Sequence, residues 1–135
     1  MGIDKDLEEE IVSKGLTAPR VTLELIESRI VWEYYVTGDQ IVDFTTPQIG
    51  NGNTVRNMLA NSDRMSCLTI CVLLLTNGFT VTGVSAPAPQ ENFDAALGRK
   101  VARQDAVGKI WLLEGYVLRQ RLHDEESIHR TEDRS

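Results

Sequence analysis

Arg99, Lys100, Arg103 and Lys109 fall close together in one stretch of the chain. Such a set could hold anionic oxygens by charge-assisted hydrogen bonds, as a phosphate-bearing ligand requires. The same residues would equally suit a plain solvated helix face. Asn92, just upstream, could read a base or ribose edge, or could cap the N-terminus of a helix. Phe79 follows an Asn-Gly pair and could stack on a base, or could fill the core. Gly50-Asn51-Gly52-Asn53-Thr54 is glycine-rich but lacks the Gly-Lys-Ser/Thr ending of a phosphate loop, and Ser85 sits in no nucleophile elbow. The sequence offers no nucleophile–base pair and no metal-ligand cluster, so no catalytic residue, metal or cofactor is expected.

The elements that must position these residues can be read from periodicity. Asp4–Lys14 reads as a short acidic helix ending at Gly15. Thr22 suits the N-cap of a second helix carrying Leu23, Ile26, Ile30 and Tyr34 at helical spacing, which stops near Gly38. Residues 38–64, with Pro47, Gly50, Gly52 and four asparagines, read as a loop insertion, with one helical turn conceivable at Val55–Ala60. Ser66–Leu75 is nearly all apolar and reads as a strand buried on both faces. Thr76-Asn77-Gly78 supplies a tight turn, and Phe79–Val84 alternates as a strand with one wetter face. After Ala86-Pro87-Ala88-Pro89 the longest helix begins near Glu91 or Asn92. In it Gly98, Ala102 and Ala106 form a flat ridge of small residues, suited to close approach by the hairpin's sheet or by the same helix of a second subunit. Gly115 ends or kinks this helix, and the charged residues 123–135 form a frayed tail.

The fold class is therefore α+β: a small antiparallel sheet built on a central β-hairpin, packed against a long C-terminal helix, with N-terminal helices. Residues 1–122 make one domain. The net charge of −6 excludes a non-specific nucleic-acid binder, yet residues 92–122 alone carry six bases against Asp94, Asp105 and Glu114. A local cationic face on an acidic chain suits a small anion or an acidic patch on a partner. Cys67 and Cys71, four apart on one strand, are expected as buried free thiols of a reducing compartment. His123 and His129 are expected to be solvated. No stretch resembles a signal peptide or spans a bilayer, which points to the cytoplasm.

Three stretches carry a resemblance: Glu10–Thr22 (EIVSKGLTAPRVT), Cys67–Gly83 (CLTICVLLLTNGFTVTG) and Glu91–Leu118 (ENFDAALGRKVARQDAVGKIWLLEGYVL). They resemble a family of short tailed-phage and prophage proteins known by gene-product number. That family is similar to the first type of Thoeris anti-defence protein, a phage sponge. Such proteins hold cyclic ADP-ribose signals of a bacterial immune enzyme without degrading them, and some hold cyclic oligonucleotides at separate sites.

The resemblance implies a non-enzymatic binding protein acting in the cytoplasm of the infected host, as a homo-dimer or higher homo-oligomer. Phe79, Asn92, Arg99, Arg103 and Lys109 are the implied ligand-binding residues, with Arg29 a further phosphate contact. Arg56 and Arg64 would serve a second site, in a segment that departs from the family's pattern. Two rival readings stand beside this one. The first is a phage factor that binds and inhibits a host protein through the basic helix. The second is a nucleotide-directed enzyme using Asp39, Asp43 or Asp63.

Overall fold

The computed structural model describes residues 5–16, 18–50 and 61–133. Their order is α1 (Lys5–Ser13), α2 (Leu23–Arg29), β1 (Ile30–Thr37), α3 (Gly38–Phe44), β2 (Thr69–Leu75), β3 (Thr80–Ser85), a 3-10 turn (Gln90–Asn92) and α4 (Ala95–Asp133). Residues 61–65 are also helical. The strands form an antiparallel sheet in the order β1-β2-β3, and the fold is α+β as expected. Two compact units result, one from the chain up to Arg29 and from Val107 onward, the other Ile30–Ala106. α4 contributes to both.

Within Ile30–Ala106, the hairpin follows from the apolar run and the turn residues. Leu75 donates its N–H to the Phe79 carbonyl at 2.8 Å, and Gly78 donates to the Leu75 carbonyl at 2.9 Å. Only Gly78 of the Asn-Gly pair takes a positive φ, +88°. The connection is thus a turn closed by a left-handed glycine rather than one in which both residues are left-handed. Asn77 contributes through its side chain, whose Oδ1 accepts from the Phe79 N–H at 3.0 Å. In β3, Val81, Gly83 and Ser85 are buried while Thr80, Thr82 and Val84 are exposed, matching the expected alternation.

Residues 30–37 depart from expectation. The helix capped by Thr22, whose Oγ1 accepts from the Leu25 N–H at 3.1 Å, stops at Arg29. Ile30–Thr37 is instead the third strand, paired along β2 from Ile30↔Leu75 to Thr37↔Thr69. Its composition (IVWEYYVT) is β-branched and aromatic, and the apolar β2 would otherwise present an unpaired edge. A bulge falls between Ile30 and Trp32. It sets Ile30 on the face of Leu75 and Trp32 on the face of Leu74, which are opposite faces.

The segment expected as a loop from residue 38 opens with α3. Gln40 Oε1 accepts the Thr37 N–H at 3.0 Å, and the turn from β1 brings Gly38 against the Met65 carbonyl, where a Cβ would collide. The conceivable turn at Val55–Ala60 lies outside the described residues.

α4 covers one face of the sheet through the small-residue ridge, which meets the chain's own sheet. Ala102 and Ala106 are fully buried, and a Cβ built on Gly83 would collide with the Ala102 carbonyl and the Ala106 nitrogen. Gly98 lies over Thr69, whose hydroxyl is buried without a hydrogen-bond partner. Gly115, expected to end or kink the helix, lies within α4, and residues 123–133, expected as part of a frayed tail, are its last turns. Pairs one turn apart support that end, among them Gln120 to Asp124 at 3.0 Å and Arg121 to Glu125 at 3.8 Å.

In the other unit, Ile26 is fully buried. Arg20 grips Glu8 with two hydrogen bonds of 2.9 and 2.6 Å. The Arg20 hydrogen bonds hold the Glu8 carboxyl below its ordinary value of 4.5.

Two outcomes follow. Gly83→Ala is expected to destabilise the chain by roughly 1–3 kcal/mol in urea unfolding, because neither colliding atom belongs to a side chain that can turn away. A depressed folded-state carboxyl contributes stability that is present above its unfolded value and lost as pH falls through the folded one. Arg20→Met is therefore expected to flatten the fall in melting temperature below about pH 4.5, the ordinary Glu8 value, and to lower the melting temperature at neutral pH.

Candidate functional site

The ridge contact decides which side chains α4 presents to each strand. Arg99 and Arg103 each follow a ridge residue by one position and reach toward β1. Asp105 lies on the opposite flank, and its Oδ2 accepts the Val84 N–H of edge strand β3 at 2.9 Å. β1 meets the two arginines with Glu33 and Tyr35, which share the covered face because they pair with Leu73 and Cys71.

These residues form one cluster. The Arg99 guanidinium lies 5.9 Å from the centroid of the Tyr35 ring. Tyr35 donates its hydroxyl to Glu33 Oε2 at 2.8 Å, and Arg103 Nε lies 3.4 Å from Glu33 Oε1. Burial, and then the Glu33 carboxylate, push the Tyr35 phenol far above its usual value, so it remains a hydrogen-bond donor. Burial likewise raises the Cys71 thiol beneath it, which is fully inaccessible. A buried, protonated thiol is a poor nucleophile. Chemically, the cluster can hold an anion. Arg99 makes no ion pair among the described residues, and the long Arg103–Glu33 contact, on half-exposed side chains, is a weak pair that an incoming phosphate can displace.

Of the residues expected from sequence, Arg99 and Arg103 come together here. Asn92 stands before the helix in the 3-10 turn, its N–H bonded to the Pro89 carbonyl at 3.1 Å. It is not the cap of α4. That role belongs to Asp94, whose Oδ1 accepts the Leu97 N–H at 2.8 Å. Phe79 is 54% exposed at the hairpin turn, the end of β3 away from Ser85 and the helix start.

Lys109 and Arg29 belong to the other unit, where Arg29 Nε pairs with Glu114 Oε1 at 2.8 Å. Arg64 is exposed in the helical segment 61–65, and Arg56 lies outside the described residues. Cys67 and Cys71 are buried and free, as expected, though Cys67 precedes β2 instead of lying in it. Asp39 engages the Thr37 hydroxyl, which lowers its carboxyl.

Sequence reasoning misses Glu33 and Tyr35 because the apolar spacing from Leu23 to Tyr34 reads as helix. A strand-like composition around them was the available signal.

Fold and site together define a small α+β protein whose long helix carries a pair of arginines over an aromatic strand. Residues 21–122, about three quarters of the chain, match the phage protein family described as N4 Gp49/phage Sf6 gene 66, and the chain belongs to that family. Two of the three stretches that carried the resemblance lie wholly within the matched region; Glu10–Thr22 overlaps it only at its end. No curated protein and no solved structure matches the chain. No helix among the described residues is long and apolar enough to cross a membrane.

The sealed thiol gives a direct check on this geometry. Cys71 is expected to resist alkylation by iodoacetamide at neutral pH in the native protein and to react at once in denaturant, as read by peptide mass spectrometry. Prompt native labelling at Cys71 would mean that the α4–sheet contact is open.

Proposed function

We propose that this phage protein is a binding protein that captures a cyclic ADP-ribose-type immune signal and holds it without cleavage inside the infected bacterium. The observation that carries the reading is the Arg99–Arg103 pair, one helical turn apart beside Tyr35. A diphosphate needs two adjacent guanidinium groups, and residues at this spacing lie about 6 Å apart on a helix surface. The phenol stays protonated and keeps its one O–H on Glu33, so Tyr35 contributes its ring beside Arg99 and holds the Glu33 carboxylate in place. The exposed Phe79 ring offers a stacking face for a base, and Asn92 is the further group of the same unit that a ligand would recruit.

The arginine pair reaches β1 level with Cys71 and Leu73, whereas Phe79 stands at the hairpin turn on the far side of β2, so a ligand touching both is best served by a site shared between two copies, which is why a homo-oligomer belongs to this reading. Holding without chemistry suits a cluster whose one thiol is buried and protonated. A cyclic oligonucleotide is the second ligand class, with Arg64 and Arg56 as its candidate contacts.

Isothermal titration with cyclic ADP-ribose isomers, followed by chromatography of the ligand released on denaturation, tests the reading. Saturable heat and recovery of intact ligand are expected. Arg99→Ala with Arg103→Ala is expected to weaken binding by roughly tenfold or more, given about 1.5–3 kcal/mol for each charged hydrogen bond. Absence of heat at high protein concentration, or recovery of a cleaved product, would sink it. Retention of a host protein by the wild-type chain but not by the double variant, with no heat from the nucleotide, would favour the rival reading of a host-protein inhibitor.

A further inference from the structure

Glu33 is the one charged residue of the three strands. Its neighbours Trp32 and Tyr34 alternate to the open face of the sheet, where they join Val72 and Leu74 in an apolar patch. Glu33 instead shares the covered face with the arginines. Its Oε1 lies 3.4 Å from Arg103 Nε, and its Oε2 accepts the Tyr35 hydroxyl at 2.8 Å. Arg99 stands over the same Tyr35 ring, so the carboxylate neighbours any anion that either guanidinium holds. Stability does not account for it, because a long pair on side chains 30% and 40% exposed contributes little. Nor does it strengthen a trap for anions, since it cancels one of two positive charges.

We infer that Glu33 is a specificity residue of the arginine cluster. It sets the site against phosphates of high charge and in favour of a ligand bearing one charge on each phosphate. The inference rests on the reading that Arg99 and Arg103 hold a diphosphate. With Glu33 in place, two guanidinium charges and one carboxylate leave the cluster only one net positive charge. Tyr35 keeps the carboxylate beside the site even after a phosphate has taken Arg103, because burial holds the phenol in its O–H form. Repulsion from a fixed charge grows in proportion to the charge of the ligand. A diphosphate diester carries about two charges, one on each phosphate, whereas a free nucleoside triphosphate carries about four. At roughly 6 Å, after screening by salt, that repulsion lowers affinity about threefold for two charges and about tenfold for four. The diester is therefore the phosphate ligand that Glu33 penalises least.

The test is isothermal titration of the wild-type chain and of Glu33→Gln with ADP-ribose and with ATP in magnesium-free buffer. Far-UV circular dichroism reports the fold. Glutamine keeps the side-chain length and an acceptor for Tyr35 while removing the charge, and Glu33→Ala takes its place should it fail to fold. The variant is expected to gain about threefold for ADP-ribose and about tenfold for ATP. Both gains are expected to fade in high salt, as a repacked site would not. Adding Arg99→Ala and Arg103→Ala is expected to abolish them. Equal gains for the two ligands, no gain for ATP, or gains that survive loss of both arginines overturn the inference. A wild type that holds cyclic ADP-ribose, with a Glu33→Gln form that gains nothing for ATP, overturns it and leaves the ligand reading standing. The ATP gain with no cyclic ADP-ribose heat in the wild type sinks that reading and supports the role of Glu33.

Discussion

The close approach of α4 to β3 is the constraint on which the rest of the Ile30–Ala106 unit depends. A helix can sit this near a sheet only where both surfaces lack side-chain bulk, and here Gly83 meets the backbone of Ala102 and Ala106 directly. The contact leaves no freedom in the helix's rotation about its axis. With Gly98, Ala102 and Ala106 facing inward, Arg99 and Arg103 must fall toward β1 and Asp105 toward the free edge of β3. The Asp105 carboxylate then occupies an edge N–H, one of the ways a sheet avoids further pairing. One steric fit thus places the cationic pair and protects an edge.

That fit has a cost at Thr69. Its hydroxyl lies beneath Gly98, buried with no partner, in a position where β2 is otherwise apolar. An unpaired buried hydroxyl is unfavourable by about 1–3 kcal/mol. A valine would remove that penalty and keep the branched shape. The threonine sits where the two arginines begin, and nothing in the structure explains why a hydroxyl stands there.

Much of this architecture was legible in the residues. The hairpin could be read because an unbroken apolar run, an Asn-Gly pair and a strict alternation all agree. The helix could be read from its ridge, and the ridge is where the physics proved most specific. Residues 30–37 were misread because Leu23, Ile26, Ile30 and Tyr34 satisfy helical spacing by coincidence, while the β-branched and aromatic content of the same stretch carried the correct signal. β1 exists because β2 needs a second partner, which is a tertiary requirement that no local window contains. Asn92 lost the cap to Asp94 by two positions, since either side chain can accept a first-turn N–H, and Asn92 belongs to the 3-10 turn while the helix starts at Ala95. Gly115 lies within α4, because one glycine costs about 1 kcal/mol in a helix otherwise rich in good formers.

The candidate site was half legible for the same reason. Arg99 and Arg103 announce themselves by charge and spacing, whereas Glu33 and Tyr35 become visible only once β1 is a strand and its register with β2 turns them to the covered face. The two faces of β1 therefore carry different work. One side of the strand supplies the carboxylate and phenol that hold the arginines. The other supplies Trp32 and Tyr34 to an uncharged surface. A shift of β1 by a single residue would exchange these faces, setting aromatics against the arginines and a carboxylate into the apolar patch. The bulge between Ile30 and Trp32 opposes that shift, because it lets Ile30 share the covered face with Leu75 while Trp32 remains outside. Register at β1 thereby sets the cationic cluster and the open face together.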